Sequence, residues 1–130
     1  MIIWIIGLSG SGKTTLGKKL FNDLKHMGKS VVLLDGDQVR ELFNNDLGHS
    51  IKDREKNADR IFKLGQFLAN QGIFVVCPIL SIFKKHRELN RKSPNKYFEI
   101  FIDTPMKLLE KRDNKKIYFK YNNGLIKNVA

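Results

Sequence analysis

An apolar run, IIWII at residues 2–6, passes directly into GLSGSGKTT at residues 7–15 and then into a polar segment carrying regularly spaced leucines. A glycine-rich turn between a strand and a helix leaves few folds open. Its spacing is G-x-x-x-x-G-K-[ST], with Gly7, Gly12, Lys13 and Thr14 at the fixed positions. Glycines let the backbone wrap a phosphate so that successive N–H groups meet its oxygens, and the following helix adds its positive end. Lys13 supplies a cation for the β- and γ-phosphates, and Thr14 a hydroxyl for Mg²⁺. The cradle read this way comprises Gly7, Ser9, Gly10, Ser11, Gly12, Lys13, Thr14 and Thr15. The alternative is a glycine-rich turn that binds nothing, which the matching strand-turn-helix context disfavours.

The rest of the chain supplies the sheet such a turn needs. Apolar runs at 31–35, 73–79 and 97–103 join 2–6 as buried strands. The first three show little alternation, as expected of parallel strands covered on both faces; the fourth alternates partly and belongs nearer an edge. Between them lie helical patterns. Leu16, Leu20 and Leu24 recur at i, i+4, i+8 and stop at Gly28, a C-terminal cap. Ile61, Leu64 and Leu68 form a stripe over 53–71 that ends near Gly72, and shorter helices are expected near 83–92 and 105–112. Such alternation predicts βαβ units and a three-layer α/β sandwich around a parallel sheet, in one domain over residues 1–130.

Composition narrows the setting. A hydrophobic content of 42% in 130 residues is enough for one core. The net charge of +11 is compatible with nucleic acid, with small anions or with solubility alone. No basic block alternates with aromatics, which argues against nucleic acid. Cys77, the single cysteine, excludes an internal disulfide and points to a reducing, cytoplasmic setting; within IFVVCPIL it reads as a small buried hydrophobe. The apolar start lacks the flanks of a signal peptide, and no run approaches the ~18 residues that span a membrane.

A phosphate cradle does not name a reaction. A GTPase would carry N-K-x-D, and Asn95-Lys96 lacks the Asp. A small-molecule kinase suits the length. The second strand runs into DGDQVR at 35–40, so Asp35 and Asp37 stand beyond a carboxyl end, where parallel sheets bind ligands. Two carboxylates there suit hydrated Mg²⁺ or an attacking hydroxyl. The same tripeptide is also good chemistry for a turn and helix cap. Ser50 to Asp53 has capping-box spacing, so a helix begins near Ile51. Arg54 then lies in its first turns and shares a face with Asn57, which continues the inward stripe. A guanidinium there suits a sulfate or phosphate; a solvated pair with a neighbouring acid is the plainer reading.

Together GLSGSGKTT, LLDGDQVR, DLGHSIKDREKN, EIFIDTP, EKRDNKKIY and GLIKN, in this order and spacing, resemble the adenylylsulfate (APS) kinases from Ile5 to about Asn128. The resemblance implies transfer of the γ-phosphoryl of ATP to the 3′-hydroxyl of adenylylsulfate, giving PAPS, with Mg²⁺ as the metal held by Thr14 and Asp35. It implies that Asp35 and Lys13 are catalytic. It places Asp37, Arg40, His49, Arg54, Asn57, Ser81, Lys115 and Tyr118 around the acceptor and Arg112 at ATP, with a lid over about 112–130. It also implies that the family domain continues beyond Ala130, and that the enzyme forms a homodimer without nucleic-acid or membrane partners.

The departures concern the acceptor. His49 and Val129 stand where the family commonly places two Phe that sandwich the adenine, and base–aromatic stacking is worth roughly 1–3 kcal/mol per base. A smaller ring suits a smaller or more polar base. The alternative acceptor is therefore a pyrimidine nucleotide, cytidine diphosphoramidate, used by relatives in capsule phosphoramidate synthesis. Lys116-Ile117 replaces the usual Gly-Leu, and Ile82 replaces a common Pro. Asp59, where Arg is usual, is expected on the surface, paired with Lys63. A non-enzymatic alternative is a basic ATP-dependent nucleic-acid-binding module.

Overall fold

The structure, a computed structural model, describes residues 1–8, 10–80, 83–105 and 108. Four strands, β1 (Ile2–Ile6), β2 (Val31–Leu33), β3 (Phe74–Ile79) and β4 (Tyr97–Phe101), form a parallel sheet in the order β2-β3-β1-β4. They alternate with α1 (Lys13–His26), α2 (Gly36–Leu42), α3 (Ile51–Asn70) and α4 (Lys84–Lys92). From β1 the chain steps outward to β2, then returns through β3 to β4. Crossovers of one hand must then place α1 on one face and α3 on the other. The packing shows this arrangement.

The two faces are read directly from β1. Ile3 and Ile5 join Val76 and Leu24 under α1, with Leu16 and Leu20 completing the stripe. Ile2, Trp4 and Ile6 point the other way, onto Val39 of α2 and Ile61 and Ala69 of α3, with Val75, Cys77 and Ile79 of β3. Every residue of β1 is buried, so the absence of alternation in IIWII is what two covered faces require. Burial pushes the Cys77 thiol well above its ordinary range, which makes it an inert packing group. β4 lies at one edge, as its partial alternation predicts, with Tyr97 edge-on to Trp4 at 6.0 Å between ring centres.

Helix ends follow the expected chemistry. Gly28 and Gly72 have φ of 78° and 80° just past α1 and α3, a left-handed geometry that glycine adopts without steric cost. β2 is shorter than its apolar run. Leu34 still donates its N–H to the Val76 carbonyl at 2.8 Å, and the next bond of the ladder would need an N–H at Pro78. The ladder stops, and the chain leaves the sheet at Asp35. On the opposite face of β3, Pro78 meets Gly17 of α1, where an added Cβ would lie 3.0 Å from the proline Cγ.

Candidate active site

The carboxyl ends of β1 and β2 bring the phosphate cradle and the Asp35 turn together. Gly10 and Gly12 adopt φ of 80° and 98°. A Cβ at Gly12 would meet nothing within 4 Å, so conformation and not space demands glycine there. At Gly7 the demand is space, because a Cβ would fall 2.5 Å from Ser11 Oγ. Ser11 is buried, and its Oγ has no hydrogen-bond partner. Gly12 caps α1 without a side-chain acceptor, which leaves first-turn amides for an anion. Lys13 Nζ donates to the Leu8 carbonyl at 3.2 Å and so lies back across the loop. Thr104, just beyond β4, donates its hydroxyl to the Ser11 carbonyl at 3.2 Å. That brace was not foreseen, although Thr104 lies within the EIFIDTP segment.

Asp35 satisfies both readings of DGDQVR. It is the N-cap of α2, with Oδ1 accepting from the Asp37 N–H at 2.9 Å. Its other oxygen, Oδ2, accepts from Thr14 Oγ1 at 3.3 Å. A hydroxyl and a carboxylate in contact beside a phosphate cradle fit a Mg²⁺ that brings phosphate and water as its remaining ligands. Among the described residues no group of three or more His, Cys, Asp or Glu is arranged to hold a metal by itself.

Opposite the cradle, α2 and α3 converge. Arg40 Nη1 contacts Asp37 Oδ1 at 3.4 Å, while Arg40 Nε is buried without a partner. Asn57 is 3% exposed, as the inward stripe predicts. Its Nδ2 donates to the Gly36 carbonyl at 3.3 Å, and its Oδ1 has no partner. Burial, and then the positive charge of Arg40, pull the Arg54 guanidinium below its ordinary value. Two guanidiniums close enough to repel, beside buried unsatisfied polar atoms, are suited to an anionic ligand. Ser50 caps α3 by accepting from the Asp53 N–H at 3.1 Å, and His49 before it is exposed. Ser9, Ser81, Arg112, Lys115 and Tyr118, and most of the expected lid, lie outside the described residues.

One expectation is overturned. Asp59 does not pair with Lys63; its Oδ1 lies 2.6 Å from Nε2 of His86 on α4, and 3.9 Å from Lys85 Nζ. His86 is 1% exposed. Helical spacing offered Lys63 at i+4, but a buried imidazole needs a partner more than an exposed lysine does. Sequence reasoning also missed Arg60. Its guanidinium makes a forked pair with Asp46 at 2.8 and 2.7 Å and lies 4.2 Å from the centre of the Phe43 ring. The acid at 46 and the base at 60 carried no local signal linking them.

The sequence model of the adenylylsulphate kinases matches residues 1–130. The chain belongs to the adenylylsulphate kinase family. Members of this family are ATP-dependent kinases. Among its relatives, the Campylobacter jejuni cytidine diphosphoramidate kinase is 41% identical over 99% of this chain and 75% of its own length. The Clostridium acetobutylicum adenylyl-sulfate kinase is 42% identical over 99% of this chain, which spans 65% of that protein. The solved structure of the Mycobacterium tuberculosis APS kinase CysC in complex with AMPPNP and APS superposes with a TM-score of 0.88 at 38% identity, covering 97% of this chain and 75% of that one. No helix among the described residues is long and apolar enough to cross a membrane.

Proposed function

We propose that this chain is an ATP-dependent nucleotide 3′-hydroxyl kinase that converts adenylylsulfate to PAPS. The observation that carries the reading is the Thr14–Asp35 contact, which joins the phosphate cradle to the acceptor side through one carboxylate. In this reading Gly7 to Thr15 hold the ATP phosphates, and Lys13 swings from the Leu8 carbonyl to meet their charge. Thr14 and Asp35 hold Mg²⁺, which when bound neutralises charge on the phosphates. Asp35 orients the 3′-hydroxyl and accepts its proton as the hydroxyl oxygen bonds to the γ-phosphorus and the bond to the ADP oxygen breaks. Arg40, Arg54 and Asn57 hold the acceptor's anionic end, with Asp37 fixing Arg40. Positioning and fixed charge do most of the work, as expected for phosphoryl transfer.

His49 favours a second reading, in which the same chemistry acts on cytidine diphosphoramidate. It stands where the family commonly stacks Phe on adenine, and the Campylobacter relative is named for that acceptor. A coupled ADP-release assay with each nucleotide decides. Turnover at least tenfold faster with adenylylsulfate supports the first reading, and the reverse supports the second. Negligible release with both refutes both. Lys13→Ala should abolish release in either case.

A further inference from the structure

The segment between α2 and α3 carries His49, and it is held more firmly than an exposed connector needs. It begins with strained backbone, since Asn44 and Asn45 both have positive φ, 58° and 52°. Two consecutive non-glycine residues there persist only where the surroundings over-determine them. The restraints come from α3. Arg60 reaches back to grip Asp46 through both carboxylate oxygens while covering the Phe43 ring. That bond holds the Asp46 carboxyl below its ordinary value. Nearer the helix, Asp53 Oδ2 accepts from the Gly48 N–H at 2.9 Å while its own N–H goes to Ser50 Oγ at 3.1 Å. The residues on either side of His49 are thus tied to one aspartate. Exposed ion pairs usually contribute little, but forked geometry and a stacked ring set this one apart.

We propose that Arg60 and Asp53 are positioning residues that fix the 43–50 loop on the rigid α3 helix, and so set where His49 meets the acceptor base. This rests on the reading that His49 faces that base. Loss of either restraint loosens the loop, weakens acceptor binding and narrows discrimination between bases, while the phosphate cradle is untouched.

The test uses the full chain with Arg60→Met, Arg60→Lys, Asp53→Ala and His49→Ala. Hydrogen exchange of the amides over 43–50 is followed in the free protein, and KM for acceptor and ATP, with kcat, is measured using whichever nucleotide is turned over. A displacement of about 1 Å can cost up to ~100-fold, so Arg60→Met and Asp53→Ala should raise acceptor KM roughly tenfold, with ATP KM within about twofold. Loop exchange should accelerate in both variants, and Arg60→Lys should recover part of each effect. Unchanged loop exchange overturns the proposal, and so does a parallel rise in both KM values, the mark of a general structural role. If His49→Ala raises acceptor KM and Arg60→Met does not, the acceptor site stands and the clamp is refuted. If His49→Ala leaves acceptor KM unchanged, the fault lies in the base-contact reading, and the inference falls with it.

Discussion

Asp35 holds two jobs on two oxygens, and substitution can separate them. Oδ1 caps α2 through the Asp37 amide, and Oδ2 faces Thr14. Replacing a capping Asp by Ala costs about 1 kcal/mol, whereas Asn caps about as well as Asp. The Thr14 contact, exposed and 3.3 Å long, adds little to stability. Asp35→Ala should therefore lose about 1 kcal/mol by urea denaturation, or roughly 4 °C in Tm for a domain of this size. Asp35→Asn should remain within a few tenths of a kcal/mol of the parent. Turnover should behave differently. A misplaced or absent proton acceptor costs roughly 10²–10⁴-fold, so both variants should fall by at least that much in ADP release. Near-normal turnover in Asp35→Asn would refute the catalytic assignment. Equal stability of the Ala and Asn variants would refute the capping assignment, and either result can occur without the other.

Three further outcomes test the packing. Gly17→Val should destabilise by about 1–3 kcal/mol in urea denaturation, because the rigid Pro78 ring lies 3.0 Å from the first added carbon; a neutral result would mean that α1 can move outward. His86→Leu should cost about 2 kcal/mol by the same measurement, because the buried ring gives up its bond to Asp59. Desolvation, and then the hydrogen bond to Glu99, raise the Tyr97 phenol above its ordinary value. A raised folded value means that this contribution to stability is complete below the unfolded value near pH 10 and is lost as pH rises beyond it. Absorbance titration at 295 nm should show Tyr97 ionising after an ordinary tyrosine does, and Tyr97→Phe should remove that late step.

Where sequence reading succeeded, the signal was local. Ser50 and Asp53 announced the start of α3, Gly28 closed α1, and the Asn57-Ile61-Leu64 stripe placed a polar side chain at the top of a core face. Asp35 was legible as a cap and as a ligand, though not as both at once. The failures share a cause as well. Asp59 meets His86 across 27 residues, and Asp46 meets Arg60 across 14. An exposed acid offers many cations on paper, and the one it takes is decided by which helix lies against which. The length of β2 was misjudged for a related reason: VVLLD reads as a strand, and what ends it lies on β3.

That ending gives Pro78 a consequence for chemistry. A residue with an N–H at position 78 would offer Leu34 another rung and draw the chain toward the sheet just before Asp35. The carboxylate stands within reach of Thr14 partly because of a hydrogen bond that proline cannot make. The location of the proposed reaction is thus encoded in part by a missing proton, on a strand that contributes no catalytic group among its own residues.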